Sequence, residues 1–194
     1  MDRDYGIPDS APRRKWNPGL FACDRIIYIV IDFTFKDEVI GMPPNKEGIY
    51  LPINVSLTEG PGRVVRGKAR DHDLAVDLFS SWGGGDTHAC PLETLAFALG
   101  ACFVATARTW AIREKLPIDS ISANVEGTVD LTRGMGMEAP NRLGFPALKI
   151  AVKLGTPLPE EKQLEFLEMV ASRCPVCDTI DNSTPIRVEL LRQE

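Results

Sequence analysis

The sequence predicts an α+β fold in which antiparallel sheets pack on a long buried helix. Strand-like and helix-like segments are segregated along the chain, in the order strands, long helix, strands, helix, strand. Apolar residues make up 44% of the 194 residues, which is enough for a sizeable core, and the 25% of charged residues is ordinary for a soluble protein. The uncharged run at 94–107 is apolar nearly all round, so we expect its helix to be buried on most faces.

Three short strands are expected before the long helix. They fill residues 53–57, 63–68 and 74–78, and a Gly-Pro-Gly turn and an Asp-His-Asp turn separate them. A Gly-Gly-Gly-Asp stretch at 83–86 then connects to the helix. It is not a phosphate-binding loop, because no Gly-Lys-Ser/Thr follows it.

The long helix is predicted over residues 91–115. Pro91 suits a first helical turn, and Glu93 suits the positive end of the helix dipole. Pro117 ends the helix. The apolar or small residues that recur at helical spacing are Leu92, Leu95, Leu99, Cys102 and Thr106.

The second half of the chain predicts two strands, a helix and a closing strand. Alternating residues indicate strands at 121–130 and 147–154, and an amphipathic pattern indicates a helix at 159–173. A short helical turn at 174–181 and a strand at 186–190 complete the domain.

Residues 1–45 differ in character from the rest and are interpreted as an N-terminal extension to a main domain at 46–194. Five prolines punctuate the extension, and a single β-branched run at 26–31 predicts one strand in it.

Charge and hydropathy exclude several kinds of partner. The net charge of −5 argues against nucleic acid, and the basic cluster at 13–15 is too small to change that. No uncharged run approaches the roughly 20 residues that span a bilayer, and the N-terminus lacks the apolar segment of a signal peptide. We therefore expect no membrane partner and a cytoplasmic location.

The chemistry of the chain is expected at its cysteines. They number five, an odd count that excludes a fully paired disulfide framework. Cys102 lies in the apolar helix, where plain core packing is the ordinary alternative. Cys174 precedes Pro175 at a helix start, where free backbone N–H groups stabilise a thiolate. The cysteines are Cys23, Cys90, Cys102, Cys174 and Cys177.

Cys174 and Cys177 form a C-x-x-C step with two further interpretations. That spacing fits a dithiol redox motif or half of a zinc site, to which His88 and Cys90 are the candidate remaining ligands. His72 is the other histidine of the chain, and both histidines fall in expected loops. No nucleotide-binding fingerprint is present, and neither a cofactor nor a resident metal is predicted.

Two segments together resemble the OsmC/Ohr family. They are the run PLETLAFALGACF from Pro91 to Phe103, with its small-small-Cys ending, and the later Cys-Pro-Val step at 174–176 that follows a second helix. The resemblance covers roughly residues 55–192. It implies an α+β fold in which two chains interlock as a homodimer, with the central helices between two curved sheets and two active sites at the subunit interface.

The resemblance also implies thiol peroxidase chemistry. Cys102 would attack the hydroperoxide and become a sulfenic acid, Cys174 would resolve it as a disulfide, and an external dithiol would reduce that disulfide. Glu93 stands one position later than the catalytic glutamate of the branch that reduces organic peroxides, a register like that of the OsmC-like branch. Arg63 and Arg66 are the candidates for the arginine that holds the thiolate.

Cys177 offers a second resolving thiol, and two other functions stay open. One is a small-molecule-binding or lipid-binding dimer that keeps the fold without turnover. The other is a structural module built on zinc or on the C-x-x-C step.

Overall fold

The computed structural model of the protein describes residues 49–191. The expected extension at 1–45, its strand at 26–31 and Cys23 lie outside the described residues. The strands are β1 (Ser56–Glu59), β2 (Val65–Ala69), β3 (His72–Val76), β4 (Ser120–Glu126) and β5 (Lys149–Gly155). The helices are α1 (Pro91–Arg113), α2 (Glu160–Ala171) and α3 (Pro175–Asp181), with short 3₁₀ turns at Ser80–Trp82 and Arg133–Met135.

The first sheet is an antiparallel meander in the order β1-β2-β3. Gly67 lies at its centre, opposite Leu57 on one side and Leu74 on the other. A Cβ at this position would lie 2.6 Å from the Ser56 carbonyl oxygen, so the close approach of β1 requires glycine there. The three strands expected before the helix are present, but their bounds differ by one to three residues, and the third begins at His72, inside the expected Asp-His-Asp turn.

The second sheet pairs β4 with β5 in antiparallel register from Ser120 opposite Gly155 to Glu126 opposite Lys149. Burial alternates along both strands, so every second side chain faces inward. The α1 helix packs on β4. The two elements approach closely at Gly100, where a Cβ would lie 2.8 Å from Cγ2 of Val125.

The main core lies where α1 meets α2, α3 and the second sheet. Phe103 and Ala107 of α1 belong to one buried cluster with Phe166 and Val170 of α2. Ala111, Ile118 and Cys174 complete it. The buried positions of α1 recur every four residues, which places them on one face of the helix.

The other faces of α1 are open in the single chain, so the burial expected on most faces is not reached within one chain. Its fully buried residues are Leu99, Phe103, Ala107 and Ala111, whereas Phe97 is 74% exposed. The helix contains an 18-residue window with a mean hydropathy of 1.6, of which 22% is buried. By length and composition alone such a helix can cross a membrane, a test that the core helices of soluble proteins also pass. Its packing on β4, α2 and α3 identifies it as a core helix.

The closing strand expected at 186–190 is also wrong. Residues 183–191 form neither helix nor strand in the described part of the chain. β-branched residues favour a strand only where a neighbouring strand supplies hydrogen bonds, and no pairing partner is described for this segment. The strand expected at 121–130 ends at Glu126 for the same reason, and Asp130 forms only an isolated bridge with Gly144.

Candidate thiol site

Three of the cysteines meet at the contact of α1 with α3. Cys102 lies midway along α1 and is half-buried, and Cys177 lies in the first turn of α3 with a similar exposure. Cys174, directly before α3, is 1% exposed and belongs to the core cluster. Cys102 and Cys177 both pack against that cluster. The structure therefore brings together the two thiols that the sequence paired, and adds a third.

The local sequence explains why Cys174 faces the core. α2 ends at Ala171, whose carbonyl oxygen accepts the Cys174 N–H at 3.3 Å. Pro175 then starts α3 in its first position, where the missing N–H costs nothing. Cys174 is the N-cap residue of α3, and its Sγ accepts the N–H of Cys177 at 3.5 Å. The tight turn between the two helices and this cap fix the thiol against α1.

Cys174 contacts both other thiols. Its side chain interacts by hydrogen bonding with the Cys102 thiol and with the Cys177 thiol. The backbone N–H of Val176 also reaches both Cys174 and Cys102. Electrostatic repulsion between Cys102 and Cys177 contributes to raising the pKa of Cys177. We call these three residues the thiol cluster.

Hydrogen bonding to Cys174 lowers the pKa of its thiol. Burial is the largest single influence and acts to raise this pKa, because a thiolate loses its hydration in the core. The backbone N–H and thiol of Cys177, the Cys102 thiol and the Val176 N–H act the other way and together outweigh burial. The net result is a thiol that ionises more readily than an ordinary cysteine.

The two neighbouring thiols shift in the opposite direction. Burial, together with the charge and hydrogen bonding of Cys174, raises the pKa of Cys102, and the Val176 N–H and the Thr106 side chain oppose this only in part. Burial and the same influence of Cys174 raise the pKa of Cys177 to about 12. Of the three thiols of the cluster, Cys174 therefore ionises most readily.

The arginine candidates lie apart from the cluster in the described chain. The Arg63 guanidinium lies beside Gly83, and the Arg66 side chain lies beside Gly60. The main influences on the Cys102 pKa are burial, Cys174, Val176 and Thr106, and an arginine is not among them.

Glu93 caps the N-terminal end of α1. Its carboxylate accepts the Cys90 N–H at 2.7 Å, and the Cys90 thiol accepts the Glu93 N–H at 3.5 Å, which together form a capping box at the start of α1. Glu93 also lies at the edge of an open cavity of about 440 Å³ between α1 and β4, lined in part by Phe97, Gly100 and Val125.

The zinc interpretation is not supported by the positions of its ligands. Cys90 precedes α1, and Cys102 is twelve residues further along that helix, about 18 Å at 1.5 Å per residue. The candidate ligands His88 and Cys90 are therefore far from the C-x-x-C step that packs beside Cys102. Among residues 49–191 no group of three or more histidine, cysteine or acidic side chains has the arrangement of a metal site.

One buried carboxylate was not anticipated from the sequence. Asp77 is 1% exposed and accepts hydrogen bonds from the N–H groups of Leu78, Gly85 and Thr87 and from the Thr87 hydroxyl at 2.8 Å. Its own N–H donates to the carbonyl oxygen of Ala89. Asp77 thereby ties the end of the first sheet to the segment that begins α1. The signal for it was an aspartate in an apolar strand followed by the glycine-rich stretch.

Two antiparallel sheets, a long apolar helix and a cluster of interacting thiols define an α+β protein with a candidate cysteine redox site. The family model for OsmC-like proteins matches residues 83–189. This match covers more than half of the chain and includes the whole thiol cluster. The chain belongs to the OsmC-like protein family.

Individual relatives agree with this assignment. A protein named hydroperoxide reductase from Mycoplasma genitalium is 26% identical over 100 residues, which are 52% of this chain and 67% of that protein. The crystal structure of an OsmC-like protein from Mycoplasma pneumoniae superposes with a TM-score of 0.60 at 19% identity, covering 69% of this chain and 89% of that one. An organic hydroperoxide resistance protein from Legionella pneumophila gives a TM-score of 0.55 at 17% identity, covering 69% and 91%. These structures establish the likeness of the fold.

Proposed function

We propose that the protein is a thiol-dependent reductase of hydroperoxides, in which Cys102 and Cys174 form the redox pair. The observation that carries this proposal is the direct interaction of the two thiols, together with the lowered pKa of Cys174. Membership in the OsmC-like family and the names of its hydroperoxide-related relatives support it.

Cys102 is the thiol assigned to the peroxide. It is half-buried, whereas Cys174 is 1% exposed, so a substrate reaches Cys102 first. A proton passes within the Cys102–Cys174 hydrogen bond and leaves Cys102 as the thiolate. Its Sγ attacks one peroxide oxygen, the O–O bond breaks, and the alkoxide leaves as an alcohol after it takes a proton. Cys102 is then a sulfenic acid.

Cys174 is suited to the second step. Its lowered pKa means that the thiolate re-forms readily beside the sulfenic acid. That thiolate attacks Cys102 Sγ and displaces hydroxide, which leaves as water, and a Cys102–Cys174 disulfide results. An external dithiol reduces the disulfide by thiol exchange and completes the cycle. Such a cycle requires a reducing compartment, and a cytoplasmic location is part of the proposal.

A homodimer is also part of the proposal. The apolar side chains that α1 leaves exposed include Leu95, Phe97 and Ile112, and the first sheet exposes Leu57 and Leu74. An exposed apolar surface of this extent marks an interaction site. A second copy that covers α1 would complete the burial that the sequence predicts for this helix.

A thiolate at Cys102 needs a positive charge nearby. We assign this charge to Arg63 or Arg66, which the assembled dimer would bring to Cys102. A positive charge near Cys102 would offset the burial that raises its pKa. Replacing the responsible arginine by methionine would then slow the first oxidation, with the same substitution of Arg70 as the control. The catalytic role proposed for Glu93 is to orient that guanidinium through its carboxylate.

The experiment follows consumption of an organic hydroperoxide with a small dithiol as the reductant. Wild-type protein is expected to turn over, Cys102→Ser to lose consumption, and Cys174→Ser to stop after one oxidation per chain. Cys90→Ser serves as the matched control, because serine is a favoured N-cap residue and position 90 lies outside the thiol cluster. Consumption by Cys102→Ser at the wild-type rate would refute the assignment.

The second candidate function is a non-catalytic binding dimer. It is favoured by the raised pKa of Cys102 and by the apolar cavity beside Phe97 and Gly100. A wild-type protein that consumes no hydroperoxide yet binds an apolar fluorescent probe in that cavity would support this candidate instead.

A further inference from the structure

The proposed catalytic cycle uses Cys102 and Cys174 and gives no role to Cys177, the third residue of the thiol cluster. Cys177 is half-buried on α3, and its thiol interacts by hydrogen bonding with Cys174. Its N–H also donates to Cys174 Sγ at 3.5 Å. Cys174 therefore has two possible disulfide partners, Cys102 on α1 and Cys177 on its own helix.

We propose that the disulfide first formed between Cys102 and Cys174 migrates to Cys174 and Cys177, so that the oxidised resting form of the protein carries its disulfide within α3. This inference rests on the proposed function, which supplies the first disulfide. It assigns Cys177 as the thiol that releases Cys102 for another reaction.

The transfer is an internal thiol–disulfide exchange. The Cys177 thiolate attacks Cys174 Sγ, a Cys174–Cys177 bond forms, and the Cys102–Cys174 bond breaks. The electron pair of the broken bond leaves on Cys102, which takes the proton that Cys177 gives up. One disulfide and one thiol exist before and after the step, so no oxidant or reductant is consumed.

The contacts of Cys174 with both other thiols make this exchange direct. The attacked sulfur interacts by hydrogen bonding with the attacking thiol and with the leaving thiol, and it also accepts the Cys177 N–H at 3.5 Å. The C-x-x-C spacing places both product sulfurs in one helical turn, so that disulfide leaves α1 unconstrained.

Electrostatics favour the exchange after the first disulfide forms. The negative charge of Cys174 is one cause that keeps Cys177 protonated in the reduced cluster. Formation of the Cys102–Cys174 bond removes that charge, so Cys177 ionises more readily when its thiolate is needed.

The product disulfide remains open to a later reductant. The first disulfide joins the half-buried Cys102 to the buried Cys174 across two helices. The second lies on a helix whose flanking residues Pro175, Asp178 and Thr179 are exposed. An external dithiol can approach this disulfide at Cys177 from the outer surface of α3.

The test measures how much hydroperoxide the reduced protein consumes without any added reductant. Migration frees Cys102 to react again, so the wild-type chain is expected to consume about two equivalents and to end with Cys102 as a sulfenic acid. Cys177→Ser is expected to consume about one equivalent and to keep its disulfide at Cys102–Cys174. Cys90→Ser should consume as much hydroperoxide as the wild type. Cys177→Ala, checked by a thermal melt, shows whether the lower consumption comes from loss of the thiol or from loss of folding.

Mass spectrometry identifies the disulfide in each sample. Trypsin releases residues 174–187 as one peptide, so a Cys174–Cys177 disulfide lies within that peptide, whereas a Cys102–Cys174 disulfide links it to another. At early times we expect two peptides linked by the Cys102–Cys174 disulfide. At later times we expect the peptide 174–187 with the Cys174–Cys177 disulfide inside it. A wild-type protein that retains only the Cys102–Cys174 link, with a stoichiometry equal to that of Cys177→Ser, would overturn the inference.

Diamide separates this inference from the proposed function, because it oxidises dithiols without peroxide chemistry. The protein could be inert to hydroperoxide while its diamide-formed disulfide moves from Cys102–Cys174 to Cys174–Cys177. That result would overturn the proposed function and support the transfer. A protein that consumes hydroperoxide while its disulfide stays at Cys102–Cys174 would overturn the transfer alone. Absence of both reactions would overturn both.

Discussion

The Cys102 thiol on α1 and the Cys174 thiol at the start of α3 interact directly, and the interaction shifts their pKa values in opposite directions. Cys174 receives the hydrogen bonds that stabilise an anion, whereas Cys102 faces that anion from a half-buried position. The pair therefore combines a reachable thiol with a neighbour that is readily ionised. This arrangement suits a two-step oxidation in which one thiol meets the oxidant and the other closes the disulfide.

The first prediction concerns which cysteine ionises first. A lowered pKa keeps a thiolate at lower pH, so titration of the reduced protein by ultraviolet thiolate absorbance should show one thiol ionising below the ordinary range. Cys174→Ser should remove that early step. Removal of the neighbouring anion should also lower the Cys102 pKa relative to the wild type, because Cys174 raises it by charge and hydrogen bonding. An early step that survives in Cys174→Ser and vanishes in Cys102→Ser would reverse the assignment of the charge.

The second prediction concerns assembly through α1. Phe97 is 74% exposed on this helix, and a glutamate there would be buried without a partner if a second copy covers it. Phe97→Glu should convert a dimer to a monomer in light scattering coupled to size-exclusion chromatography. Met135→Glu is the control, since Met135 is also an exposed apolar residue but belongs to a 3₁₀ turn and not to α1. A wild-type protein that is monomeric at micromolar concentration would contradict the proposed dimer.

The third prediction concerns acid stability. Hydrogen bonds from Thr87, Leu78 and Gly85 lower the pKa of Asp77 to about 2, although burial opposes them. Because the folded pKa lies below the unfolded value, the carboxylate stabilises the fold above about pH 4, and this contribution is lost as the pH falls toward about 2.

Substitution at Asp77 tests that dependence. Asp77→Asn should lower the melting temperature by several degrees at neutral pH and flatten its decline between about pH 4 and 2. Asp73→Asn is the matched control, because Asp73 is 83% exposed in its side chain and makes only a loose ion pair with Lys68 at 3.6 Å. Equal effects of the two substitutions would show that the Asp77 hydrogen bonds do not matter.

The fourth prediction concerns the contact of α1 with the second sheet. An alanine at position 100 would place its Cβ 2.8 Å from Cγ2 of Val125, a stiff side chain. We expect Gly100→Ala to destabilise the fold, since overpacking costs about 1–3 kcal/mol and the gain in helix propensity returns only about 1 kcal/mol. In a Val125→Ala background the same change should be neutral or stabilising. Additive effects in denaturant unfolding would contradict this close contact.

The elements that the sequence predicted well are those with strong local signals. The α1 helix begins at Pro91 as expected, because proline at the first position and the Cys90–Glu93 capping box act within one turn. The helical turn after Cys174 was likewise marked by Pro175. The expected strand at 186–190 failed because strand formation depends on a distant partner, which a local pattern does not contain.

The sequence by itself determined the family-like cysteine motifs, the order of helices and strands, and the helix start that presents Cys174. Tertiary structure decided what surrounds each thiol. The turn between α2 and α3 carries Cys174 against Cys102, and that contact helps to lower the pKa of Cys174 and to raise that of Cys102. It also gave Glu93 a capping bond and made Cys177 a neighbour of the pair. A pKa depends on burial and on hydrogen-bond partners brought together across the fold, so no reading of residue types along the chain could supply it.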